Sequence, residues 1–428
     1  MGLNETADRR LQAAARCLTV ALPVLLVLGR AGADVGLSLA AILFLVHSAG
    51  TGDWGWVRRP WFRVAFVLWL WLLFTSNFAF AVASAYSQAG TWMRFLVFAA
   101  AAEHWLLDER WMRRLLVVTS VTVLFVAADA VLQYLSGFDV FMHPWFNPYR
   151  LTGPFNDPKV GVYMARLLFP GLLGLWAWGA YRARRRWFAV ILGLLAATAV
   201  FLSGERMAFI FVLFGLFLTA LAWFGVRRAA VLALVGAAVL SAMFFAGRGN
   251  EAIQRQFVST AQEFAGVWNS PYGHLWRSGV KVGSARPLTG VGMHNFRVAC
   301  SIPGIGMPPS FDYRCNLHPH NMYIEWFSES GIPGLLGFVT LVGVWLRRVW
   351  RAGRRSGWPG WLLGPAVGVF VYLWPLAPTH GFFSNWNAVT FWLLLGWALA
   401  AARIADRGGS LFDESAGPSE KPAQPEAA

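Results

Sequence analysis

Along most of its length the chain alternates between long apolar runs and short polar breaks. Runs long enough, or nearly so, to cross a bilayer lie at roughly 14–29, 35–48, 64–83, 89–107, 114–136, 160–179, 187–203, 207–225, 229–246, 322–346, 360–378 and 388–404. They predict twelve membrane helices, or eleven if the short second run does not span. One interval breaks the rhythm, a polar segment over about 247–321. Within it Ile253, Phe257, Val258, Ala261 and Phe264 are spaced for one face of an amphipathic helix, and Tyr272 to Val282 for a second. Turn-rich pieces follow, at Pro287 to Gly292 and Ile302 to Pro309, with glycine and proline at close intervals. The predicted layout is therefore nine helices in 1–246, a long loop in 247–321, three helices in 322–404, and a Pro-, Ser-, Glu- and Ala-rich disordered tail in 405–428.

Composition agrees: 57% of the 428 residues are hydrophobic and only 13% charged, which is polytopic membrane composition. A net charge of +15 raises the question of nucleic acid, but the arginines sit in short clusters between apolar runs. Arg58 and Arg59, Arg110 to Arg114, Arg182 to Arg186, Arg227 and Arg228, and Arg347 to Arg355 all fall on one side of the predicted topology. That is the positive-inside pattern, so both ends read as cytoplasmic and the long loop as external, with no nucleic-acid partner. Arg9, Arg10 and Arg16 precede the first run without a small-residue cleavage site, so that run is expected to stay as a helix. Cys300 and Cys315 share the long loop, and the sequence leaves a disulfide and two thiols equally open.

Polar residues placed on this topology collect on the external side. Arg206 interrupts two apolar runs in Ser203-Gly204-Glu205-Arg206 with almost no loop, where a charge is costly unless paired or wet. Its bland reading is an ion pair with Glu205 or a snorkelling side chain. Arg277 follows Trp276 in an apolar patch, and a pair of guanidinium forks suits a pyrophosphate group; a loop salt bridge is the plain alternative. Arg150 and Lys159 flank a loop that returns to the membrane, and Arg166, a membrane-embedded group one turn or so below Lys159, is within reach of the same outer cavity. For the first two, attraction to acidic head groups competes with catalysis. The stretch Leu317-His318-Pro319-His320-Asn321 opens the tenth run. Asn321 suits a helix cap, and a histidine at a helix start is held neutral, as a general base must be. A His-x-His pair raises the question of a metal, but beyond a doubtful Asp312 no third ligand is spaced for one. Arg94, Glu103, His104, Asp129 and Glu329 lie in apolar runs at scattered depths and read as locally paired. No nucleotide fingerprint is visible, so neither a metal nor a cofactor is expected.

His320-Asn321, nine intervening residues and Gly331-x-x-Gly334 form a motif that resembles the signature of bacterial O-antigen ligases and their relatives in the O-antigen ligase/polymerase superfamily. Pro287 to Gly292, Gly153 to Lys159 and Arg206 also resemble that group, over roughly residues 110–400; Lys159 departs from its pattern. The resemblance implies an all-α, metal-independent glycosyltransferase of the GT-C type with a large periplasmic loop, in the bacterial inner membrane. It implies a role in lipopolysaccharide biosynthesis: inverting transfer of O-antigen from undecaprenyl pyrophosphate to lipid A-core oligosaccharide. His320 would take the acceptor proton, while Arg206 and Arg277 hold the leaving pyrophosphate. An O-antigen polymerase and a protein O-oligosaccharyltransferase stand as alternatives within the same loop chemistry.

Overall fold

The computed structural model describes residues 4–147, 150–180, 182, 184–306, 315, 318–376, 378 and 381–412. It is 79% helix, and no strand occurs among the described residues. The first helices are α1 (Glu5–Leu28), α2 (Arg30–Thr51), α3 (Pro60–Thr75), α4 (Val82–Ala101), α5 (Glu109–Ser136), α6 (Val160–Trp178) and α7 (Arg184–Leu202). Then come α8 (Arg206–Ala246), the short α9 (Glu251–Gln254) and α10 (Thr260–Ala265), α11 (Pro271–Ala285), α12 (Phe296–Cys300), α13 (Met322–Ser356), α14 (Gly360–Tyr372) and α15 (Asn385–Asp406). Helix covers both stretches that the sequence spaces as amphipathic, the first as α9, a π-helical stretch Arg255–Ser259 and α10, the second as α11.

Local chemistry sets the helix ends. Asp108 accepts a hydrogen bond from the amide of Trp111 at 2.9 Å and so caps α5, which stops at Gly137 with φ 88°. Ser270 caps α11 through the Gly273 amide, with Pro271 at its first position.

Among the described residues nine helices are long and apolar enough to cross a membrane. The sequence counts twelve runs, and three differences account for the gap. The runs at 207–225 and 229–246 are one 41-residue element, α8, bent at Gly225 (φ 76°). Helix α4 falls outside the nine, and α14 has only 13 residues. Two helices run through the middle: 89% of the apolar window of α15 and 78% of that of α6 are buried, against 22–56% for the others. Trp92, Trp326, Trp345, Phe391 and Trp392 interlock around α15, mostly edge to face at 5.3–5.8 Å.

Contacts sort the polar groups to two ends. At the basic end Arg16 pairs with Asp108 at 2.8 Å, Arg348 with Asp406, His104 with Asp53 and His47 with Asp8. At the other end Arg94 meets Asp34 at 2.8 Å, and Tyr163 donates to the Pro23 carbonyl. The described part of the long loop docks at this second end, where the Ala81 amide reaches Asn295 and the indole of Trp71 reaches the Ser330 carbonyl. Cys300 is buried beside Val282, Val291 and Phe296, and Cys315 packs against that cluster. Residues 413–428, which hold most of the expected tail, lie outside the described residues.

Candidate functional site

Helix α13 is broken where the sequence places Gly331-Ile332-Pro333-Gly334. Gly331 has φ 71° and ψ −174°, and Pro333 has no amide to donate. The loop Pro287 to Gly292 fills the break. The amides of Val291 and Gly292 donate to the carbonyls of Ser328 and Glu329 at 3.0 and 2.9 Å, and the Ile332 amide donates to the Pro287 carbonyl at 2.7 Å. A Cβ on Gly331 would lie 2.4 Å from the Leu288 carbonyl oxygen, and one on Gly290 would lie 2.4 Å from the Glu329 backbone. The Glu329 carboxylate accepts from the amides of His294 (2.7 Å) and Phe296 (3.2 Å) and so fixes the start of α12. Half of the sequence motif is therefore scaffold: it makes the break in the helix that the Pro287 to Gly292 loop fills next to the site.

The other half is the start of α13. Asn321 accepts from the amides of Tyr323 and Ile324 and donates to the Pro375 carbonyl at 2.8 Å, so it caps the helix and ties it to the segment after α14. Its neighbour His320 sits in the left-handed region, φ 56°, which is strained for a side chain of this size and recurs at functional positions. The ring lies 5.7 Å from that of Tyr272 and 4.1 Å from that of His318, and the Trp276 indole approaches the His320 carbonyl at 3.5 Å. Burial lowers its pKa to about 4, so the imidazole is neutral at neutral pH. His318 packs on the far side, against Gly381.

His320 lines a cavity of about 430 Å³ between α6, α8, α10 and α11. Arg150, Arg166 and Arg206 share its wall. Arg166 is buried, donates to Asn387 at 2.7 Å and lies over the rings of Tyr372 (4.5 Å) and Trp386 (5.5 Å), so its head is held rigidly. Arg206 pairs with Glu263 of α10. Two donors in the wall, Arg150 Nε and Thr260 Oγ1, are buried without a hydrogen-bond partner. Buried donors of this kind are costly unless a ligand or water satisfies them.

Glu205 stands among the arginines. Its carboxylate accepts from the amides of Gly161 at 2.7 Å and Val162 at 3.2 Å and so caps α6 from a different segment. Burial still raises its pKa to about 7, against those two bonds and the nearby Arg150 and Arg166. Three guanidiniums thus face two carboxylates, one of them partly protonated at neutral pH. The cavity is net positive and suits an anion.

The residues singled out in the sequence divide. Arg150, Arg166, Arg206 and His320 meet in one cavity. Arg277 and Lys159 do not line it: Arg277 donates to the Trp268 carbonyl at 2.8 Å and contacts His274 at 3.1 Å, while Lys159 pairs with Asp157 at 2.6 Å. The carboxylate partner of Arg206 is Glu263, not Glu205. Glu205, Thr260, Glu263 and Tyr272 are not expected in the site from sequence, although Glu205 lies in the Ser203 to Arg206 break and the other three in the two stretches read as amphipathic helices. Among the described residues no three His, Cys, Asp or Glu side chains group as metal ligands, and Asp312 lies outside the described residues.

Residues 191–339 match the family model of the O-antigen ligases, Wzy_C. The match covers about a third of the chain. The matched stretch runs from within α7 past the break in α13, and takes in Arg206, the long loop, His320 and the break at Gly331 to Gly334. Arg150 and Arg166 reach the same cavity from upstream of it. The match supports a glycosyltransferase-like activity of the ligase or polymerase type in a multi-pass membrane protein. No curated protein matches the chain.

Proposed function

We propose that the protein is an O-antigen ligase: it moves a polysaccharide from undecaprenyl pyrophosphate to a hydroxyl of the lipid A-core oligosaccharide, with inversion and with no metal or cofactor. One observation carries this reading: the neutral imidazole of His320 and three guanidiniums line the same cavity, at the end of the bundle away from the basic clusters. By the positive-inside rule the basic end is cytoplasmic, so the cavity faces the periplasm and the membrane is the inner one. The bundle is then of the GT-C type, with about 12 membrane-crossing segments. His320 takes the proton of the acceptor hydroxyl as that oxygen attacks the anomeric carbon. The bond from that carbon to the pyrophosphate breaks, and Arg150, Arg166 and Arg206 neutralise the charge that develops on the leaving group. His318 packs behind the base and Asn321 fixes its helix.

The test is a lipopolysaccharide gel from a host lacking this gene, with an extract of its undecaprenyl-linked glycans. Bare core with full-length polymer left on the lipid carrier is the expected result. Core bearing a single repeat would instead identify a polymerase, and an unchanged ladder would move the acceptor to a protein or another exported polymer.

A further inference from the structure

The Arg206–Glu263 pair does not follow from that chemistry, because a carboxylate on a phosphate ligand works against binding an anion. Its setting is specific. Glu263 lies near the end of the helical segment Glu251–Ala265, which is held at its middle by the Gln256 amide on the Phe201 carbonyl (2.9 Å). Beyond that tether Thr260, Glu263 and Phe264 all face the cavity. Arg206 keeps 21% of its side chain exposed and Glu263 35%, so the pair is open to competition from an incoming anion.

We propose that Glu263 sets the charge requirement of the site, competing with phosphate for Arg206 so that a diphosphate displaces it well and a monophosphate poorly. This rests on the donor reading above. The same competition acts on the product. Once the sugar has left, the lipid diphosphate carries one more negative charge than the donor diester, and would bind the three arginines more tightly. A carboxylate within reach of Arg206 offsets part of that gain and speeds release. Glu263 is thus a positioning residue that acts through Arg206 and touches no reacting atom.

The experiment measures binding of undecaprenyl pyrophosphate and of undecaprenyl monophosphate to the purified full chain by calorimetry. The variants are Glu263→Gln, Glu263→Ala and Glu263→Asp, with the first repeated on an Arg206→Ala background. Glu263→Gln and Glu263→Ala should bind the diphosphate about fivefold more tightly, the upper range for a half-exposed ion pair. The preference for diphosphate over monophosphate should narrow, and Glu263→Asp should behave as wild type. In turnover the donor KM should fall without a rise in kcat. The gain should vanish on the Arg206→Ala background, a non-additivity that loss of structure does not produce. Unchanged or weaker diphosphate binding in both charge-removing variants, or a gain that persists without Arg206, would overturn the role of Glu263 alone. A wild-type protein that binds neither lipid would overturn the donor reading as well.

Discussion

The two ends of the bundle use the same residue for different ends. At the basic end the less exposed arginines are met by carboxylates or carbonyls: Arg16 by Asp108, Arg348 by Asp406, Arg403 by the Leu107 carbonyl. At the other end Arg150, Arg166 and Arg206 share one cavity wall, Arg166 held by an amide and two rings and Arg206 by a carboxylate from a separate loop segment. Charge at the first end is spread over many exposed arginines and fixes orientation; at the second it is gathered and enclosed. A count of arginines does not separate these roles, whereas their placement does.

The sharpest break would come at His320. Replacing it with alanine is expected to cut transfer by about 10²–10⁴-fold, the range for loss of a general base, while the purified protein keeps its thermal unfolding profile. Transfer within tenfold of wild type, measured with lipid-linked glycan and core acceptor, would remove the base from the mechanism.

Next comes the contrast between the ends. Arg206→Ala should lower kcat/KM for the donor by about 10²-fold, since a charged hydrogen bond contributes roughly 1.5–3 kcal/mol. Arg206→Lys should recover only part of that, because the planar fork is lost. Arg348→Ala should leave turnover unchanged and cost at most about 1 kcal/mol of stability, as a partly exposed ion pair does. Equal loss of activity at both positions would erase the distinction between the ends.

The pH profile separates the two titrating groups of the cavity. His320, with a pKa of about 4, remains neutral well below the ordinary imidazole range, so the acid limb of kcat/KM should lie nearer pH 4 than pH 6.5. Glu205 titrates the other way. Its pKa of about 7 means that it gains negative charge as pH rises through neutrality, which should weaken anion binding several-fold. Glu205→Gln should flatten that rise in donor KM, at the loss of one of the two acceptors that cap α6. A donor KM that is level from pH 6 to 8 in the wild type would exclude Glu205 from the charge balance.

Much of the fold was legible because a bilayer demands helices of about 20 apolar residues and sorts arginine to one side. Legibility failed where partners come from distant segments. Glu205 was weighed as the mate of Arg206 because it is adjacent, yet neighbours at a helix start point about 100° apart and do not face each other. The true mate lies 57 residues away, on a helix whose amphipathic spacing is visible in the sequence while the target of its polar face is not. Likewise the glycines at 331 and 334 announce a broken helix, while the loop that mends it became visible only in three dimensions.

Arg277 gives the smallest expected effect and the finest test of the comparison. The family resemblance makes it a pyrophosphate ligand; its contacts make it a strut. Its guanidinium donates to the Trp268 carbonyl and so holds the turn that brings Val267 and Ser270 into the cavity wall. A strut needs one donor of the right reach, so Arg277→Ala should raise KM by about three- to tenfold, in line with one lost hydrogen bond of 0.5–1.5 kcal/mol. Arg277→Lys should restore nearly all of it, unlike Arg206→Lys. If instead Arg277→Ala falls as far as Arg206→Ala and lysine fails to rescue it, Arg277 leaves Trp268 during turnover and grips the donor. The enclosed set would then hold four arginines, one of them delivered by movement of α11.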